Sequence, residues 1–325
     1  MIHPKIQLYC CAIGILFTAC ASPKFSVVVL PDTQTYAQKF PEIFYSQLGW
    51  IDSNRKAIDF VLHVGDITQD NIEPEWEVAR KAFDQIEGKV PYAIVPGNHD
   101  TGNKGRADVR ETTYYNRYFA ADRSGPANAG AYFETGKLDN AWHQVRAAKR
   151  NWIFLGLEFG PRNEVLDWAN TVVRANPESI VVLFTHCYMY SDSTRVGEGD
   201  DWRPQQYGLG KDTGRLAVND GEQIWEKLVR PNPNIRFVLS GHVLHSGVGT
   251  LVSTNDAGLP VYQMLANYQA GVRGSVNGGN GYLRVLTMDI RKGIVDVKTY
   301  SPYLNQYKSE PAHEFRFTNV PFRSR

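Results

Sequence analysis

Cysteine is scarce. The chain has four, and three of them, Cys10, Cys11 and Cys20, fall within the first twenty residues. Cys187 stands alone in the rest, so an internal disulfide framework is excluded there. Charge of one sign is lacking too. Lys and Arg number 35 against 34 Asp and Glu, a net +1, so no global field steers the protein onto nucleic acid or anionic lipid. Hydrophobic residues at 42% and charged residues at 21% exclude a disordered or fibrous chain. With no disulfides, the fold must rest on its core, and 325 residues are enough to build one.

The first twenty residues have a composition of their own. Lys5 opens a short basic region, and residues 6–17 are apolar apart from Gln7 and Gly14. That run is too short for a resident membrane helix and has the layout of a secretory signal. With Phe17, Thr18, Ala19 and Cys20 it resembles a bacterial lipoprotein signal, in which Cys20 becomes the lipidated first residue. The expectation is export to the periplasm or cell surface, with membrane contact only through an anchor at Cys20. A plain cleaved signal with an incidental cysteine is the alternative.

From residue 24 the chain reads as alternating strands and helices. Residues 24–30 (KFSVVVL), 59–64 (DFVLHV) and 92–95 read as buried strands, followed by 152–157, 180–184 and 235–239. Phe44, Leu48 and Ile51 recur at helical spacing. A second helix starts near Pro74 with Trp76, Ala79, Phe83 and Ile86 on one face and Gly88 as its stop. Val165, Leu166, Ala169 and Val172 mark a third. A fourth, capped by Asn219 or Asp220, carries Ile224, Trp225 and Leu228 and stops at Pro231. Residues 261–265, 282–290 and 294–300 read as a strand-rich end with a turn at Lys292 and Gly293. No linker divides residues 24–310, so they read as one domain, with 311–325 as a tail. The fold class is α/β, two packed sheets with helices outside. Residues 101–131 and 187–218 are long polar connections of the kind that serve as lids or binding loops.

Polar clusters stand at the strand ends. Pro31-Asp32-Thr33-Gln34 follows the first strand, Gly65-Asp66 the second and Gly97-Asn98-His99-Asp100 the third. Thr185-His186 and Gly241-His242-Val243-Leu244-His245 follow later strands. Asp32, Asp66 and Asn98 are separated by 34 and 32 residues, one βαβ unit each, so parallel strands bring them to one sheet edge. A mixed oxygen and nitrogen set there suits Mn, Fe or Zn. Each cluster alone is explicable as a turn; five in register with five strands are not. His63, inside a strand, reads as a satisfied core residue, and Cys187 as a small buried hydrophobe rather than a nucleophile.

These clusters resemble the calcineurin-like metallophosphoesterases, whose pattern is D-x-H, G-D, G-N-H-[DE], an isolated His and G-H-x-H. The resemblance implies a double β-sandwich of two mixed sheets flanked by helices, and two divalent metal ions. Carried over by position, Asp32 and Asp66 are ligands, with Asp66 bridging. Asn98, His186 and His242 complete the second metal. His99 faces the phosphate, and Asp100 orients it. The implied activity is hydrolysis of phosphate esters by a metal-activated hydroxide, with His99 stabilising the oxyanion or protonating the leaving alcohol. The substrate expected is a phosphorylated small molecule or other phosphoester; the balanced charge disfavours nucleic acid. Arg106, Arg110 and Arg203 in the long loops are candidate phosphate ligands, against the plainer reading of solvated arginines.

Two positions depart from the pattern. Gln34 stands where D-x-H has its histidine, and Leu244 where the second histidine of G-H-x-H belongs, with His245 one residue late. Both losses fall on the metal also held by Asp32. The expectation is a weak, oxygen-rich first site of Asp32, Gln34 and Asp66, with His245 as a candidate ligand through a bulged loop. Competing readings are a non-catalytic metal-binding protein with a degraded first site, and a phosphodiesterase or nuclease on the same fold.

Overall fold

A strand covered on both faces needs apolar residues at successive positions, and Lys24–Leu30 (β1) meets that demand. Phe25, Val27 and Val29 face a core between two sheets, while Val28 and Leu30 face a core beneath helices. The computed structural model describes residues 24–120 and 129–322. The expected signal segment, with Cys10, Cys11 and Cys20, lies outside the described residues.

After β1 the chain passes through α1 (Gln34–Lys39) and α2 (Pro41–Ser53) into β2 (Phe60–His63). Helix α3 (Glu73–Phe83) has Pro in its first turn and buries Trp76, Ala79 and Phe83, as their spacing requires. It leads to β3 (Tyr92–Ile94). Strands β1, β2 and β3 pair in parallel, so the turns after them share one edge. The first long polar stretch holds a helix, α4 (Thr113–Tyr118), which periodicity did not reveal.

The second sheet starts with β4 (Ala129–Tyr132) and β5 (Ala141–Ala147), also unforeseen, and continues through β6 (Arg150–Leu157). Helix α5 (Asn163–Ala175) returns the chain to β7 (Ile180–Thr185), parallel to β6. Helix α6 (Gly221–Ile224), extended by a π-helical turn at Trp225–Val229, precedes β8 (Ile235–Ser240). Asp220 is its cap: its carboxylate accepts from the Gln223 N–H at 3.1 Å, and the Gln223 side chain accepts from the Asp220 N–H at 3.1 Å. Strands β9 (Val248–Thr254) and β10 (Pro260–Ala266) complete the order β4-β5-β6-β7-β8-β10-β9.

The chain then rejoins the first sheet. β11 (Leu283–Asp289) pairs antiparallel with β1 and, across the expected turn, with β12 (Ile294–Ser301). β13 (Gln306–Lys308) and β14 (Phe315–Phe317) both pair with β12. Residues 311–322 are therefore not a tail. β14 is a strand of the sheet, and Val320 and Phe322 are buried between the sheets. β14 is only three residues long, too short a run to be legible without its partner strand.

The result is four layers, helix, sheet, sheet, helix. Between the sheets Phe60 stacks on Phe154 with centroids 4.0 Å apart, both fully buried. Truncating such a ring to alanine costs about 3–5 kcal/mol. Helices α1 to α4 cover the first sheet, and α5 and α6 the second. His63 is a satisfied core residue: its Nδ1 accepts from the Gly65 N–H at 3.2 Å, and its Nε2 lies 2.9 Å from the Thr33 hydroxyl. Burial, and then the charge of His186, push its pKa down to about 3, so it is neutral. Cys187 is fully buried in the core under α5 and α6, and burial raises its thiol pKa well above normal, which leaves it no nucleophilic role.

Candidate metal centre

The strand ends of both sheets meet at one rim. The Asp66 carboxylate Oδ1 lies 3.1 Å from His186 Nε2, which lies 3.2 Å from the Asn98 amide oxygen and 3.1 Å from His242 Nδ1. One ligand atom each from Asp66, His186 and His242 fall within 4.8 Å of one another, and all three residues are buried. Each imidazole has its other nitrogen on a backbone carbonyl. His186 Nδ1 faces Val64 at 2.8 Å and His242 Nε2 faces Trp202 at 2.7 Å. Those bonds leave His186 Nε2 and His242 Nδ1 as the free donors.

Asp32 joins from the first strand end. Its Oδ1 accepts the His242 N–H at 3.0 Å and lies 4.0 Å from His186 Nε2. Gln34, at the start of α1, donates its amide to Asp66 Oδ2 at 3.0 Å. Asp32 Oδ2 and Gln34 Oε1 are buried acceptors with no donor, a costly state that a bound cation relieves. The donor set therefore fits divalent metals. Asp66, Asn98, His186 and His242 would hold one, with mixed nitrogen and oxygen donors. Asp32, Gln34 and Asp66 offer oxygen to another.

The charges are strongly coupled. Burial pushes the Asp32 carboxyl well above the usual carboxylate range against the pull of His186. Burial acts the same way on Asp66, but the charges of His186, His99 and His242 prevail and hold it low. Asp66 and Asp32 raise His186 to about 9 despite burial, whereas burial and the His186 charge lower His242 to about 3.

Backbone geometry makes this convergence possible. Asp32, Asp66 and His242 have φ of 42°, 54° and 76°, the left-handed region that non-glycine residues rarely enter. A Cβ on Gly65 would collide with the His186 ring, one on Gly97 with the Asp66 carboxylate, and one on Gly241 with the Asp32 carboxylate.

His99 is half-buried beside the cluster. Its N–H donates to Asp66 Oδ1 at 2.9 Å, and its Nδ1 lies 2.7 Å from the Gln69 carbonyl. That contact leaves Nε2 as the ring nitrogen not engaged by Gln69. Asp100 does not touch the ring, contrary to its expected orienting role. Its carboxylate accepts the N–H groups of Ile67, Thr68 and Gly97 at 3.0, 2.8 and 2.9 Å and the Thr68 hydroxyl at 2.9 Å. A carboxylate saturated by backbone donors has none left for an imidazole. It clamps the Asp66 turn to the Asn98 turn instead.

His245 is not brought to the cluster. It is exposed, its Nε2 lies 3.2 Å from the Tyr190 hydroxyl, and its ring centroid lies 4.9 Å from that of Trp202. The loop after β8 turns it outward at φ 55°. Gln269, after β10, is a buried site residue that no motif announced. It contacts both Gln34 and Asp32.

Arg110 and Arg203 are occupied. Arg110 pairs with buried Glu158 at 3.2 Å and donates to the Gly160 carbonyl at 2.9 Å, and Arg203 pairs with Asp220 at 2.8 Å. Arg106 is exposed and forms no ion pair among the described residues. The glycine before it packs closely on the His99 backbone.

The family model described as calcineurin-like phosphoesterase matches residues 25–246. An uncharacterized protein of Bacillus subtilis (strain 168), YvnB, is 30% identical over 297 residues, covering 87% of this chain and 20% of that protein. The chain thus spans about a fifth of that relative's length. The structure of purple acid phosphatase PPD1 from yellow lupin (Lupinus luteus) seeds aligns with a TM-score of 0.55 at 13% identity, covering 92% of this chain and 54% of that one. GAP50, the anchor in the inner membrane complex of Plasmodium, aligns at 0.50 with 10% identity, covering 92% and 90%. At such identities the likeness is one of fold.

Proposed function

We propose that the chain, which belongs to the calcineurin-like phosphoesterase family, hydrolyses phosphate esters with two divalent metals at the rim of its sheets. The observation that carries this reading is the convergence of Asp66, Asn98, His186 and His242 from four separate loops onto one buried point. When bound, the metals supply a water of lowered pKa and positive charge opposite the phosphate.

The residues divide the remaining work. Asp66 reaches both halves of the site, through His186 on one oxygen and Gln34 on the other. His99 is tied to Asp66 by its own N–H, which fixes its distance from the reacting centre. Its Nε2 serves as donor to a phosphate oxygen or to the leaving alcohol. Asp100 acts through the backbone, as a positioning residue. A non-catalytic binder would need the donor cluster but not a histidine held beside it with a ring nitrogen not engaged by Gln69.

The test is elemental analysis of the purified chain, with turnover of aryl phosphate mono- and diesters before and after chelation. Bound divalent metal and turnover lost with it support the reading. Absence of both would end it. From the layout of residues 5–20 we also propose export with an anchor at Cys20. Cys20→Ser should shift the protein out of the membrane fraction, and an unchanged distribution would refute the anchor.

A further inference from the structure

The family pattern leaves the first metal short of two histidines, at Gln34 and Leu244, yet the space is built rather than open. Gln269 fills it. Its Nε2 lies 3.4 Å from Asp32 Oδ1, and its Oε1 accepts from the same Gln34 amide that donates to Asp66 Oδ2 at 3.0 Å. Two neutral amides thus link two buried carboxylates. Asp32 and Gln34 each keep one acceptor oxygen with no donor, on side chains 1% and 0% exposed.

Leu244 lies against the loop that carries this glutamine. Its Cδ1 would lie 3.1 Å from a Cβ on Gly271, two residues beyond Gln269. The same loop is tied down at other points. The Gln269 N–H donates to Asn267 Oδ1 at 3.0 Å, and the Arg273 N–H to the His245 carbonyl at 2.7 Å. The Gly281 N–H donates to the Tyr36 hydroxyl at 2.9 Å. The leucine that replaces one ligand packs the loop that carries another candidate.

We propose that Gln269 is a ligand of the first metal, completing with Asp32, Gln34 and Asp66 an all-oxygen site for a hard divalent cation, Mn²⁺ or Mg²⁺. The proposal rests on the metal-dependent reading above. Gln34 already holds one oxygen without a donor, and turning the Gln269 amide by half a turn puts its oxygen where its nitrogen now faces Asp32, so neither needs to move its chain. Carboxylate and amide oxygens favour Mn and Mg, whereas the neighbouring set with two imidazoles suits Zn or Fe. The two positions should therefore differ in metal preference.

The experiment titrates the purified, chelator-stripped chain with Mn²⁺, followed by electron paramagnetic resonance, and with Zn²⁺, followed by elemental analysis after gel filtration. Wild type should take one equivalent that prefers Mn²⁺ and one that prefers Zn²⁺. Gln269→Ala should weaken the Mn²⁺ equivalent at least tenfold and leave the Zn²⁺ equivalent unchanged. Gln269→Glu, which keeps an oxygen there and guards against misfolding of the alanine variant, should retain or tighten Mn²⁺. Unchanged Mn²⁺ affinity in Gln269→Ala, or loss of Mn²⁺ in Gln269→Glu, overturns the assignment. A wild-type chain that binds neither metal overturns the phosphoesterase reading itself.

Discussion

His242 holds the backbone carbonyl of Trp202 with its Nε2 at 2.7 Å, which turns its Nδ1 towards His186 and Asp66. The contact couples a ring of the candidate metal site to the long connection between β7 and α6. Trp202 itself sits at φ 61°, so the loop is held in a conformation it would not adopt alone.

His242→Ala should therefore strip the metal shared by Asn98 and His186 while leaving the other in place. Asp66→Ala should deplete both and abolish turnover, because Asp66 contacts both halves of the site. Metal stoichiometry of the two variants, measured side by side, checks the difference. Equal losses would remove the bridging role of Asp66.

His99→Ala should lower kcat by about 10²–10⁴-fold, the range for a general acid, with metal content unchanged. Its Nδ1 is engaged by the Gln69 carbonyl, and the ring is not one of the three residues whose donor atoms group together. Loss of metal in this variant would make the ring a ligand.

The arginines of the first long loop should separate by phenotype. Arg106→Ala should raise KM for phosphate esters with little change in thermal unfolding, since the side chain is exposed and forms no ion pair among the described residues. Arg110→Ala should destabilise the fold by about 1–3 kcal/mol, the cost of leaving a buried charged partner short, because it pairs with Glu158 at 3.2 Å. Kinetics and calorimetry on both variants suffice. A reversed pattern would exchange their roles.

Stability should also report on Glu158. Burial opposes its charge, but Arg110 and Arg162 prevail and hold its pKa below the ordinary 4.5. A depressed folded value means its stabilisation is complete above about pH 4.5 and is lost as pH falls from there through the folded value. Unfolding free energy should drop on acidification in that window, by at most about 1.4 kcal/mol per pH unit from this one group. In Glu158→Gln the slope should flatten there. An unchanged slope would assign the acid sensitivity elsewhere.

Much of this arrangement can be read before folding. Residues 24–30 and 180–184 are apolar at nearly every position because sheets are covered on both faces, and each leads into a polar cluster at its strand end. Asp32, Asp66, Asn98, His186 and His242 were legible for that reason. Gln269 was not, because a lone glutamine in a glycine-rich loop carries no spacing, and its meaning comes from Gln34, 235 positions away in the sequence. The role of Asp100 was misread because sequence adjacency to His99 suggested contact, whereas the turn sends its carboxylate to backbone N–H groups. β5 escaped notice because Ala141–Ala147 (AWHQVRA) mixes apolar and polar residues with no continuous apolar run, and its pairing with β4 and β6 is what makes it a strand.

Three glycines set the room in which the donors meet. Gly65, Gly97 and Gly241 each lie against a candidate donor from a different loop, so a methyl group at any of them displaces a side chain that its own loop does not carry. An alanine at position 97 or 241 would keep every donor of the cluster in the sequence and still separate them. An inventory of metal-binding residues would count such a chain as intact. The absence of three side chains is as much a part of the chemistry as the presence of the donors, and it must be checked first wherever a relative with all the donors proves inert.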